Sequence, residues 1–144
     1  MGYVITLAGC PILWKRKLQT EIALSMMEAE YVALSTACHD LFPIMDLVKE
    51  IGGHFGLPVQ DKSRFHVRVH KDNVGALLLG QLEPRRMTPR SKHYAVKYHW
   101  FQSELEPRGV VLTKIESKEQ LGDIFTKGLG RIAFEYLRKK LMGW

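Results

Sequence analysis

The feature that most constrains the fold is an apolar stripe in the segment SMMEAEYVALSTACHDLFPIMDL. At 100° per residue, Tyr31, Leu34, Cys38, Leu41 and Met45 gather within about an 80° arc. This spacing predicts a helix from Ser25 through Leu41, bent or interrupted at Pro43 and resuming to about Ile51. Ser25 with Glu28 three residues on forms a capping box, and Gly52-Gly53 provide the stop. Glu28 lies well away from the stripe and has the cap as its task. Glu30 falls just beside the stripe and points toward whatever the helix packs against. A bare carboxylate there is costly unless a Lys or Arg pairs with it or a cation binds it.

Around this helix the sequence reads as alternating strands and helices. YVITLA (3–8) and ILWKRKL (12–18) flank Gly9, Cys10 and Pro11 and predict an antiparallel hairpin. In the second strand, Ile12, Trp14, Arg16 and Leu18 share a side. FHVRVH (65–70) alternates strictly, with Phe65, Val67 and Val69 facing one way and His66, Arg68 and His70 the other. NVGALLLG opens a short helix after Asp72, a polar loop covers 83–91, and 93–105 is helical by pattern. GVVLTKI (109–115) is a further strand. Ser117, with a capping-box spacing to Gln120, opens a helix through Thr126, and a basic helix covers 131–141. The order is that of a mixed α/β layer fold in one domain, residues 1–144.

Composition narrows the function classes. No apolar run approaches the roughly 20 residues of a membrane span. The N-terminus lacks the pattern of a secretory signal. Cys10 and Cys38 make no disulfide framework and lack metal-ligand spacing, so a reducing compartment, cytoplasm or nucleus, is expected. The net charge of +6 is clustered: Lys15, Arg16 and Lys17; Arg85, Arg86, Arg90 and Lys92; Arg138, Lys139 and Lys140. One such cluster is commonly solvated surface, but three favour a polyanionic partner, most simply nucleic acid. Trp14 beside the first cluster could stack on a base or sugar, but a strand Trp is more often core.

Two further carboxylates stand out. Asp72 sits where a strand ends and a helix begins, a place where ligands bind and also where Asp caps helices. Asp123, in EQLGDIFTK, lies off the Leu121–Ile124–Phe125 stripe, which by itself predicts a solvent-facing side chain. Three carboxylates at helix–strand junctions of a basic domain suggest a magnesium site that cuts a phosphodiester. Two ions about 4 Å apart would activate water and stabilise the leaving oxygen.

ALSMMEAEYVALS, KDNVGAL, MTPRSKHYAVKYHWF and EQLGDIFTKGL resemble, in order and spacing, the successive motifs of the ribonuclease H domain of copia-type retrotransposon polyproteins. The likeness covers nearly all 144 residues, and the ending RKKLMGW resembles the end of such polyproteins, particularly algal and diatom ones. The resemblance implies a ribonuclease H-like mixed sheet flanked by helices and magnesium-dependent cleavage of RNA in RNA–DNA hybrids, with manganese as a substitute. It implies that Glu30 is the carboxylate of the first helix, Asp72 that of the strand end, and Asp123 that of a C-terminal helix. Family members carry a first Asp on a central strand ahead of the GYVxTL segment. The chain begins at Met1-Gly2-Tyr3, so an incomplete carboxylate set and an open sheet edge are expected. A protein partner or a second copy would then supply the strand. His93 and His99 are expected to be structural or phosphate-facing rather than metal ligands. Three function classes follow: an active nuclease, a nucleic-acid-binding remnant, and a domesticated structural subunit of a larger assembly.

Overall fold

A computed structural model describes residues 1–18, 26–59, 66–72 and 99–144. The polypeptide opens with an antiparallel hairpin of β1 (Gly2–Leu7) and β2 (Cys10–Arg16). Its two-residue turn places Ala8 at φ 51° and Gly9 at φ 82°. Two consecutive left-handed residues let the turn follow the right-handed twist of the strands. A bulge between Ile5 and Thr6 shifts the register before the turn.

Helix α1 (Met26–His54) is the spine of the molecule. The predicted stripe is its buried face: Tyr31, Leu34, Cys38 and Met45 are buried and Leu41 packs beside them. Of the bend or interruption expected at Pro43, the interruption is absent: the helix continues through it. Proline removes one helical hydrogen bond, but Phe42 and Met45 are buried on either side of it and hold the axis through that point. The helix also runs past Gly52-Gly53 to His54. Ser25, and with it the capping box, lies outside the described residues.

Strands β3 (Val67–Lys71) and β4 (Val110–Lys114) form a parallel pair in register, Val67 opposite Val110 and Lys71 opposite Lys114. Val67, Val69, Val110 and Leu112 turn into the core under α1. The other flank of α1 is covered by the 99–101 turn and helix α2 (Gln102–Arg108). Phe101 is fully buried and packs on Tyr31 at 5.4 Å between ring centroids, and Trp100 donates a hydrogen bond to Ser35 at 3.2 Å. The expected helix over 117–126 is two 3-10 turns, Ser117–Glu119 and Leu121–Phe125, and α3 (Arg131–Met142) closes the described chain.

The molecule is thus mixed α/β. Among the described residues its strands make two separate two-stranded sheets, β1–β2 and β3–β4. No helix among those residues is long and apolar enough to cross a membrane.

A candidate site where three elements meet

Three elements end at one corner: the first turns of α1, the end of β3, and the 121–125 turn. They bring Glu30, Asp72 and Asp123 together. The Lys127 ammonium lies 2.7 Å from a carboxylate oxygen of Asp123 and 3.9 Å from one of Asp72. Its pKa is raised, chiefly by the hydrogen bond to Asp123, against some cost of burial, and further by the fields of Asp123, Asp72 and Glu30. Glu30 itself accepts a short hydrogen bond from Lys71, the last residue of β3. The Lys71 side chain is mostly buried, so this pair is shielded from water on the lysine side.

Local structure explains each placement. Asp123 was expected to face solvent because an α-helical period puts it off the apolar stripe. In a 3-10 turn the period tightens to three residues, and Asp123 is buried. Gly122 carries the turn against β1: a Cβ on Gly122 would lie 3.1 Å from the Gly2 carbonyl oxygen. Asp72 follows β3 directly and is largely buried. Glu30 lies at the edge of the α1 stripe, half-exposed.

Oxygen donors of this kind suit a hard cation such as magnesium. The arrangement does not. Lys127 lies between Asp72 and Asp123 and Lys71 is paired with Glu30, and among the described residues no group of three or more His, Cys, Asp or Glu side chains is placed to hold a metal ion. Sequence reasoning named the three carboxylates and expected a Lys or Arg beside Glu30, without saying which, and it did not name Lys127 as a partner of Asp72 and Asp123. Lys127 was legible, since it lies four residues after Asp123. Lys71 was not, because it is 41 positions from Glu30 and the contact depends on how β3 packs beside α1.

The basic clusters divide. Lys15 is committed to Asp40 at 2.9 Å. Asp40 also accepts a short hydrogen bond from Tyr3. Burial opposes ionisation of Asp40, but the hydrogen bonds from Tyr3 and Lys15 hold its carboxyl below the ordinary value. Arg16 and Lys17 are exposed. Trp14, 62% exposed, stands beside them and is not a core residue. Arg85, Arg86, Arg90, Lys92 and His93 lie outside the described residues. In the third cluster, Lys140 pairs with Glu119, Arg138 stacks over Trp144 at 5.7 Å, and Lys139 is exposed.

No family model matches the chain, and no solved structure matches it. Curated relatives do. Over 142 residues, 99% of the chain, it is 32% identical to the Retrovirus-related Pol polyprotein from transposon TNT 1-94 of Nicotiana tabacum. It is 29% identical over 97% of its length to the Pol polyproteins from transposons RE2 and RE1 of Arabidopsis thaliana. The chain spans only 9% to 10% of the length of these relatives.

Proposed function

We propose that the chain, homologous along nearly its whole length to a segment of plant retrotransposon Pol polyproteins, is their ribonuclease H-like domain. We propose further that these 144 residues retain nucleic-acid binding without cleavage. The function of such a domain would be cutting the RNA strand of an RNA–DNA hybrid with magnesium. The observation that carries both halves of the reading is the corner itself. Glu30, Asp72 and Asp123 converge, as a hydrolytic site would require, yet Lys71 and Lys127 offset two of their three charges. Coulomb attraction between these side chains competes directly with capture of a divalent cation.

Binding is supported by the charge of +6 and by the exposed pair Arg16 and Lys17 beside exposed Trp14. Lysine and arginine contacts to phosphate release condensed cations, so affinity should fall steeply with salt. The aromatic face of Trp14 can stack on a base without regard to sequence.

Fluorescence anisotropy with a labelled RNA–DNA hybrid at two salt concentrations tests the binding half. Affinity should drop at the higher salt, and an R16A/K17A double variant should show a shallower slope, by about 1 per lost phosphate contact. Incubation of the same hybrid with magnesium should leave the RNA intact. Absence of binding at low salt contradicts the first half, and cleavage that disappears in Asp123→Asn contradicts the second.

A further inference from the structure

Of the three tryptophans, Trp100 serves the core: it meets Phe42 and Phe101 edge-on and donates a hydrogen bond to Ser35. Trp14 and Trp144 are 62% and 70% exposed. Rings of this size dominate burial energetics when they are inside, and they are common anchors at interfaces when they are not. Each of the two has an arginine beside it. On β2, Trp14 and Arg16 are two positions apart and share a side of the strand. Beyond α3, the Trp144 ring lies under the Arg138 guanidinium, 5.7 Å from its centroid.

The fold brings these two elements together. Tyr3 and Lys15 are direct partners across the hairpin, and both reach Asp40 on α1. Side chains alternate along a strand, so Gly2, Val4, Trp14 and Arg16 point away from α1. On that side a Cβ at Gly2 would meet Phe125 at 3.1 Å and Thr126 at 2.6 Å. Helix α3 packs against the same 121–125 turn and against β2, which puts it on the Trp14 side of the hairpin. The carboxylates of α3 and of the 117–119 turn are already paired: Glu135 with Arg131 at 2.8 Å, and Glu119 with Lys140 and Tyr136. Among the described residues no carboxylate pairs with Arg16, Arg138 or Lys139, and Arg138 Nε is buried without a hydrogen-bond partner. Three uncompensated cations on packed elements complement a polyanion.

We propose that β2 and α3 together form a binding surface for single-stranded nucleic acid, in which bases stack on Trp14 and Trp144 while Arg16, Arg138 and Lys139 contact phosphates. The rings decide the class of ligand. A duplex keeps its base faces inside the stack, whereas an unpaired strand presents them, and every base has a π-face that an aromatic side chain can take. The arginine beside each ring adds a cation–π contact that holds the ring plane. This inference rests on the binding half of the reading above and narrows it. The surface around Trp14 extends onto α3 and takes an unpaired strand in preference to the hybrid.

The test follows the 144-residue chain by fluorescence anisotropy with three probes at low salt: a labelled oligothymidine of about 12 nucleotides, the labelled RNA–DNA hybrid, and phosphatidylserine vesicles. Oligothymidine should bind more tightly than the hybrid. Trp144→Leu, which keeps an apolar side chain without a π-face, should weaken oligothymidine binding about tenfold, and Trp144→Phe should restore most of it. Lys139→Ala should lower the slope of log affinity against log salt by about 0.7, the value for one phosphate contact to a single strand. Unchanged affinity in Trp144→Leu overturns the proposal, as does equal loss in Trp144→Leu and Trp144→Phe. Hybrid binding without oligothymidine binding overturns it and leaves the reading above standing. Oligothymidine binding alone, weakened in Trp144→Leu and not in Trp144→Phe, supports it and overturns hybrid binding. Binding of neither nucleic acid overturns both, and vesicle binding in that case assigns the surface to an anionic membrane.

Discussion

The two halves of the sheet system, the β1–β2 pair and the β3–β4 pair, are held by different physics. The β3–β4 pair is parallel and non-local, and its inward valines and Leu112 share a core with Tyr31, Phe42 and Phe101. The β1–β2 hairpin is local, closed by two residues, and contains no fully buried side chain. It is attached instead at discrete points: Tyr3 and Lys15 on Asp40, and Gly2 against Gly122 and Thr126. A half-sheet that buries apolar area is expected to unfold with the whole molecule. A half-sheet held by a few polar contacts and one close backbone approach is expected to open on its own at lower free energy.

The largest effect that would break this contrast lies in the buried half. Phe101→Ala removes a fully buried ring from between α1 and the rest of the core and should cost about 3–5 kcal/mol, read by denaturant unfolding. Loss of all structure, hairpin included, is the expected outcome. Next comes the hairpin's docking point. In Gly122→Ala the new methyl would stand 3.1 Å from the Gly2 carbonyl oxygen, a clash worth about 1–3 kcal/mol. It should accelerate amide exchange in β1 and leave β3–β4 protected. Equal loosening of both halves would show that they form one unit.

A smaller effect separates the halves by pH. Asp40 has a lowered pKa in the folded chain, so its stabilising contribution is present above the ordinary value of 3.8 and is lost as pH falls through the folded value. Acidification should therefore loosen β1 before β3, and Tyr3→Phe should weaken that pH dependence at a cost of about 1 kcal/mol near neutral pH. The smallest change sharpens the hairpin. Ala8 adopts a left-handed conformation at φ 51°, which asparagine tolerates better. Ala8→Asn should raise hairpin stability by about 1 kcal/mol, seen as slower exchange in β1 and β2.

The same contrast explains what the sequence could reveal. The α1 stripe and the alternation of Val67 and Val69 were legible because periodic burial leaves a periodic pattern. The convergence of Glu30, Asp72 and Asp123 was suggested by motif order, and Glu30 additionally by its place on the helix. Three features were not legible. Continuity of α1 through Pro43 depends on what packs against Phe42 and Met45. Asp123 was assigned to the wrong face because its segment turns with a 3-10 rather than an α period. A strand Trp is more often core, yet among the described residues the Trp14 ring is left largely uncovered and Trp14 is 62% exposed. Lys71 as the partner of Glu30 was hidden for the same reason, because pairing across 41 positions leaves no local trace.

In the proposed reading, lysine–carboxylate pairs rather than a cation hold the corner together. A manganese titration of the 144-residue chain, followed by paramagnetic broadening of the Asp72 and Asp123 amides, tests it most directly. No saturable broadening is expected in the native chain, and its appearance is expected in Lys127→Met, where the pairs to Asp123 and Asp72 are gone. Saturable broadening in the native chain, abolished by Asp123→Asn, would contradict it.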